Sequence, residues 1–434
     1  MAHRFPVYLK HVPRYPGLRL GIGSQTEGIT MSLMGKARKF AGSSIRRLGL
    51  LPGGIPDGLG EDEKLTGYVI RSQAVVFFPD PPENVYQLRQ WYGALDALDE
   101  RMGLTVVTQD SRTAKIVRAE TPFPVIIVAR NRTFSALLRR GHASIVIYVG
   151  HANNNMVGLR ATEAAHVFLA HGDSDKAVSV SNQVKGFDFT FVAGQAAVDR
   201  YAASVMFFDT AAHLRIIGRP QLPSVVERET GSSVLYAPTW EGSQETNAYS
   251  SAVSHGERLV QSLLDDGFQV IYRPHPRLGV SDRAFREANS RIKDIVTAAG
   301  AQGEVDVTPD PNAAMERADV LITDVSAMSS DWLSQGRALL VTTPVVADAQ
   351  PTPGSRLHAQ VPRITAEQAS DTATLVRAAM ADEGHLATIR ELADYYLGGL
   401  SAEEATDAFV DACVEASEAF KRELHMAESR YAQP

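Results

Sequence analysis

The chain has 434 residues, of which 44% are hydrophobic and 21% charged, with a formal net charge of −7. That length supplies two or three packed cores at roughly 150 residues each, and the acidic balance lacks the basic excess of a nucleic-acid binder. The single cysteine, Cys413, excludes an internal disulfide framework and a cysteine-based zinc site, and no apolar run approaches the roughly 20 residues that cross a bilayer.

Residues 1–62 read as a basic N-terminal extension and linker. From Met1 to Pro56 the one acidic residue is Glu27, against cations that include Lys36, Arg38, Lys39, Arg46 and Arg47. Met31, Leu33, Met34, Phe40, Ile45 and Leu48 are interleaved with those cations. This is the pattern of an amphipathic helix lying in an anionic membrane interface. Gly35, Gly42 and Gly49 weaken such a helix, and a packed or disordered extension is the competing reading. An Arg- and Ser-rich transit peptide ranks below both.

After a Gly/Pro/Asp-rich stretch at 52–62, the spacing predicts a strand at 74–78, a helix at 83–101, a strand at 105–108 and a helix at 112–118. Strands follow at 125–128, 145–149, 166–170 and 187–192, then a helix at 195–205 and a short strand at 214–217. Val/Ile runs bounded by turns predict strands buried on both faces, hence a mostly parallel sheet. The segment HGDSDK, 171–176, closes one of these strands, and open α/β sheets bind ligands at their carboxyl ends. His171 is therefore a candidate base, with Gly172 letting backbone approach a ligand and Asp173 or Asp175 orienting the imidazole. A buried histidine satisfied by a turn is the competing reading. His166 is expected to be structural and His151 to sit in a plain polar turn.

A polar, Pro-containing stretch at 218–233 predicts the interdomain linker, and the pattern restarts. Strands are expected at 234–237, 269–273, 305–307, 320–323 and 338–341, with helices at 251–265, 282–299, 312–317 and 326–335. The tail, 366–428, is nearly all helical. Four loops fall at strand carboxyl ends: YAPTWEG with Thr239 and Trp240, RPHP with Arg273 and His275, TPDPN at 308–312, and TDVSAMSSDW at 323–332. Arginines at 273 and 277 suit phosphate recognition and resist protonation of His275. Asp324 and Ser326 are favoured N-cap residues, and a helix start presents free N–H groups to an anion. Ser329 shares the face of Ser326, and Asp331 is placed to anchor the loop or meet a hydroxyl. Serines that merely cap and pack are the alternative.

The fold expected is α/β, two doubly wound Rossmann-like domains facing a cleft in the glycosyltransferase-B arrangement. Its divisions are 1–62, 63–218 and 219–400 as the two Rossmann-like domains, and 401–434 as a C-terminal helix packing back toward the first domain. P-loop, GxGxxG, HExxH and GxSxG motifs are absent from the chain, and no carboxylate cluster has a two-metal spacing.

In their order along the chain, HGDSDK, YAPTW, RPHP and TDVSAMSSDW resemble the CDP-glycerol glycerophosphotransferase family, the teichoic-acid polymerase type, with weaker echoes at GRP (218–220) and 395–407. The resemblance implies a CDP-glycerol or CDP-ribitol donor held by the second half and a lipid-linked polymer acceptor at the inner membrane face. His171 resembles the family's base and His275 its second histidine near the donor phosphates. Thr239, Arg273, Asp324, Ser326, Ser329 and Asp331 are then the donor-side candidates, and Gly172 and Lys176 the acceptor-side ones. No cofactor is required by these motifs, and a divalent cation is left open. Val325, Ala327, Trp332, Asp173 and Ser174 depart from the family pattern, which bears on the polyol and the acceptor. A nucleotide-sugar glycosyltransferase of the same fold and a non-catalytic membrane-surface scaffold are the two rival readings.

Overall fold

The computed structural model of the chain describes residues 60–169, 174–176, 180–222, 231–308 and 310–431. The basic segment at 31–51 lies outside the described residues, as do His171 and Gly172.

Seven parallel strands form the first sheet in the order β3-β2-β1-β4-β5-β6-β7. They are β1 Ala74–Phe78, β2 Leu104–Thr108, β3 Val125–Ile127, β4 Ile145–Tyr148, β5 Ala165–Phe168, β6 Phe189–Val192 and β7 Leu214–Ile216. Every residue of β1 is buried, because side chains alternate between two covered faces. Ala74, Val76 and Phe78 enter one core and Val75 and Phe77 another. The second sheet repeats the plan with six strands in the order β10-β9-β8-β11-β12-β13. These are β8 Ser233–Ala237, β9 Gln269–Tyr272, β10 Gly303–Val305, β11 Val320–Thr323, β12 Ala338–Thr342 and β13 Arg363–Ile364. Strand order reverses at β1/β4 in one sheet and at β8/β11 in the other, and such switch points open a crevice at the strand carboxyl ends.

The expected helix at 83–101 is two helices, α1 Val85–Arg89 and α2 Tyr92–Met102. Buried Val85, Leu88 and Trp91 recur every three residues, and the Trp91 N–H bonds the Leu88 carbonyl at 2.9 Å. That tighter winding breaks the α-helical ladder. A helix the sequence reading lacks, α3 Asn131–Arg140, buries Phe134, Leu137 and Leu138. The helix expected from 251 starts as a π turn, Ala252–Gly256, where the Gly256 N–H reaches the Ser251 carbonyl, before α5 Glu257–Asp265.

Helices α4 Gln195–Ser204 and α9 Glu383–Leu397 (with α6 Arg283–Ala298, α7 Ala327–Trp332 and α8 Arg356–Gln360 between them in the chain) join the two halves. Ala196 of α4 shares one core with Ile389, Leu392 and Tyr396 of α9 and with Leu321 of β11. A Cβ on Gly194 stands 2.6 Å from the Tyr396 backbone, so only glycine permits this approach. The last helix, α10 Ala402–Tyr431, inserts Phe409, Ala412, Cys413 and Ala416 into the core of the first sheet. Burial pushes the Cys413 thiol well above its ordinary pKa, so it packs as a small hydrophobe. Among the described residues no helix is long and apolar enough to cross a membrane.

Candidate functional site

The loop leaving β11 organises the switch point of the second sheet. Asp324 is fully buried, which pushes its pKa up. Its oxygens accept the Thr239 N–H at 2.7 Å, the Ser251 N–H at 3.2 Å and the Thr342 hydroxyl at 2.5 Å. One carboxylate thereby holds the β8 loop, the π turn and the end of β12 in register. Ser326 is the N-cap of α7 by backbone geometry, yet its hydroxyl caps nothing and stands 3.1 Å from the Thr323 hydroxyl. Ser329 donates its hydroxyl to the Ser326 carbonyl at 2.6 Å. Asp331 receives the Arg219 guanidinium bidentately, Nε–Oδ1 and Nη2–Oδ2 both at 3.0 Å. It anchors the chain entering the second half.

The strand-end loop of β9 carries Arg273 and His275. Arg273 turns sideways: Nη1 donates to Asp306 Oδ2 at 2.5 Å and Nη2 to the Thr308 carbonyl at 3.0 Å. Burial acts to raise the Asp306 pKa, but hydrogen bonds from Thr308 and Arg273 take it below the usual carboxylate value. His275 is half-buried. Its Nδ1 accepts the Arg277 N–H at 3.1 Å, so the neutral ring carries its proton on Nε2. Tyr86 of α1, from the first half, meets this ring edge-on with centroids 6.3 Å apart. Arg277 lies over the Trp240 ring at 4.0 Å, and Glu241 gathers the N–H groups of Gly279, Ser281 and Asp282.

The loop after β5 brings the first half to the same place. Asp175 is buried and accepts from Arg200 at 2.6 Å, the Ser355 hydroxyl at 2.5 Å and the Tyr396 hydroxyl at 2.7 Å. Its carbonyl accepts the Thr352 N–H at 2.7 Å. Asp175 thus joins α4 of the first half to α8, α9 and the 352–355 turn. The histidine it was expected to orient, His171, lies outside the described residues. Lys176 extends across to the second half, its Nζ donating to the Thr239 hydroxyl at 2.9 Å and standing 5.5 Å from the Tyr249 ring centroid. Burial pushes its pKa down to about 8, against the attraction of Asp324. These contacts are to the loop after β8 in the second half.

The structure therefore brings Thr239, His275, Asp324, Ser326 and Lys176 to one strand edge. Ser329, Asp331 and Arg273 are there too, with their polar groups engaged by protein partners. His166 is structural: Tyr148 Oη lies 2.8 Å from its Nδ1 and the Ala161 carbonyl 2.7 Å from its Nε2. His151 is exposed, edge-on to Phe168. Sequence reasoning missed Tyr86 and Tyr249, which carried no motif, and Glu241, which lies in the YAPTWEG loop but was not singled out there. Arg219 was signalled only by the GRP echo. Among the described residues no group of three or more His, Cys, Asp or Glu side chains is arranged to hold a metal ion.

Comparison with known proteins matches part of this sequence to a family. Residues 221–349 match the family described as CDP-Glycerol:Poly(glycerophosphate) glycerophosphotransferase. That span includes every donor-side candidate from Thr239 to Asp331. Among solved structures, a histidine-to-alanine variant of the wall teichoic acid polymerase TagF has a TM-score of 0.54 at 13% identity, covering 93% of this chain and 100% of that one. A TagF variant soaked with CDPG has a TM-score of 0.54 at 12% identity, covering 92% and 99%. The Anabaena protein HepE in complex with UDP and glucose has a TM-score of 0.48 at 10% identity, covering 80% and 100%. At these identities the TagF likeness is one of fold, two Rossmann-like domains with a helical C-terminus. No curated protein matches the sequence.

Proposed function

We propose that this chain, whose second half matches the glycerophosphotransferase family over residues 221–349, moves a polyol phosphate from a CDP-activated donor to a polymer hydroxyl. Glycerol phosphate is the favoured polyol phosphate, and a teichoic-acid-like or capsular polymer the acceptor. The observation that carries the reading is the convergence of the family-matching strand-end loops, holding Thr239, His275 and Ser326, at the switch point of one sheet. A loop from the other sheet reaches over them through Lys176.

In this reaction the acceptor oxygen attacks the phosphorus that bears the polyol. The bond from that phosphorus to the bridging oxygen breaks, and cytidine monophosphate leaves with the electron pair. His171 takes the acceptor proton, a contribution of roughly 10²–10⁴-fold. Positioning and electrostatics supply most of the remaining rate in phosphoryl transfer. His275, with its proton on Nε2, donates toward the departing phosphate, and the backbone amides following Ser326 face the same anion. Asp324 acts through others, holding the Thr239 and Ser251 amides in place. Arg273 holds the β10 loop through Asp306, and Asp331 the Arg219 anchor. Docking of the basic segment at 31–51 on an anionic membrane face belongs to the same reading, and puts the enzyme beside a lipid-linked acceptor.

The test is to incubate purified protein with CDP-glycerol, CDP-ribitol and a panel of nucleotide sugars, following release of cytidine monophosphate with a polyol-phosphate polymer as acceptor. Turnover of a CDP-polyol supports the proposal. Turnover of a nucleotide sugar alone makes the chain a glycosyltransferase of the same fold. Binding of CDP without turnover of any donor makes it a scaffold. A ligand selective for the folded state also raises the melting temperature, which ranks the nucleotides independently of chemistry.

A further inference from the structure

The carboxyl edge of the second sheet is approached by several arginines whose charge is already engaged. Arg273 holds Asp306, Arg219 holds Asp331, and Arg200 holds Asp175, all within 3.0 Å. A guanidinium paired with a carboxylate has little field left for a second anion. Lys176 differs from all three. Its partners are the Thr239 hydroxyl and the face of the Tyr249 ring, both neutral, and it forms no ion pair among the described residues. Asp324 attracts it from further away while its own oxygens hold the Thr239 and Ser251 amides. Arg277 is also without a carboxylate, but it is exposed and lies on Trp240.

We propose that Lys176 is the cation of the donor-diphosphate site, carried by the first half and delivered across the cleft onto the Thr239 loop of the second. The inference rests on the donor reading above and moves Lys176 from the acceptor side to the donor side. Lysine is a compact point charge on a flexible stem, suited to a diphosphate whose oxygens shift as one phosphate leaves. Desolvating an ammonium without an anion is costly, and an anionic ligand offsets that cost. The donor site is then built from both halves, the first through Lys176 and the second through the Thr239 loop. Burial brings the Lys176 pKa down to about 8 in the free protein, and a bound diphosphate draws it back up. Donor binding near pH 8 therefore takes up about half a proton.

The experiment is calorimetric titration of CDP into the full chain, wild type, Lys176→Gln and Lys176→Arg, between pH 6.5 and 9.5 in buffers of different ionisation enthalpy. For wild type, affinity is expected to fall as pH rises through about 8, with proton uptake. Lys176→Gln should weaken CDP about 10- to 100-fold at pH 7 and abolish both the pH dependence and the proton uptake. Lys176→Arg should recover most of the affinity and hold it to higher pH. Melting of the ligand-free variants checks folding, and Lys176→Gln should melt no lower than wild type because it removes a desolvated charge. Wild-type affinity and pH profile in Lys176→Gln, with a defect confined to the acceptor KM, overturns the inference and returns Lys176 to the acceptor. A wild-type chain that binds no cytidine nucleotide overturns the donor reading itself.

Discussion

Asp324 and His275 stand at the ends of neighbouring loops and separate two kinds of residue in one site. Asp324 is fully buried with three donors on its carboxylate, so Asp324→Asn places an amide NH₂ against at least one donor. A loss of about 1–3 kcal/mol in stability is expected, together with weakened donor binding, as read by thermal melting and nucleotide titration on one preparation. His275 is half-buried, accepts the Arg277 N–H through Nδ1, and meets the first half at the edge of Tyr86. His275→Ala should leave the melting temperature unchanged while cutting cytidine monophosphate release by about 10²–10⁴-fold. A His275→Ala protein that melts like Asp324→Asn would make the imidazole a packing group. His275 stood out in the sequence because arginines at 273 and 277 flank it and because RPHP resembles a family motif. Asp175 was legible only as a carboxylate, since Arg200, Ser355 and Tyr396 lie 25, 180 and 221 residues away.

Elements were readable wherever one periodicity ran unbroken. The expected strand at 74–78 coincides with β1, and that at 320–323 with β11. The reading failed where two periodicities met. Residues 83–101 hold enough apolar positions for one long helix, but the three-residue spacing of Val85, Leu88 and Trp91 winds it more tightly and splits it. Residues 131–140 carry Phe134, Leu137 and Leu138 at helical spacing within a polar, arginine-rich stretch, where the charges hid a face of three residues. The packing of α4 on α9 gave no local sign at all. Gly194 sits where a Cβ meets the Tyr396 backbone at 2.6 Å, and backbone on that side does not move as a flexible side chain does. Gly194→Ala should therefore destabilise the fold by about 1–3 kcal/mol, measurable as a lower urea midpoint. An unchanged midpoint would mean that α4 and α9 slide apart freely.

Across the whole molecule, the two halves are joined by buried polar contacts around Asp175 and by the shared core under α9. Next to Asp175 lies His358, buried, its backbone N–H on the Ser355 hydroxyl. Burial takes its pKa down to about 4, although Asp175 pulls the other way. Below its ordinary value of 6.5 the unfolded chain gains this proton before the folded one does. Stability therefore rises with pH from about 4 to about 6.5 and is flat above, with up to about 3 kcal/mol lost on acidification from this ring. Burial lowers the pKa of His255, His385 and His166 in the same direction, so the wild-type slope is steeper than one ring produces. Denaturant midpoints between pH 7 and 4.5 should fall for wild type and fall less for His358→Gln. Equal slopes in the two proteins would take His358 out of this acid response.

By itself the sequence determined the α/β class, the two restarts of the strand pattern, and the order of the strand-end motifs that carry the family resemblance. Those properties are local: side-chain alternation, turn residues and short motifs act over a few neighbours and survive without any knowledge of the partners. Tertiary structure alone decided which charges are engaged. It paired Arg273 with Asp306, Arg219 with Asp331 and Arg200 with Asp175, and laid Lys176 against a neutral hydroxyl and ring. The physical reason is that a charge is silenced by whatever lies within about 4 Å of it, and in a two-sheet fold that neighbour comes from a distant part of the chain.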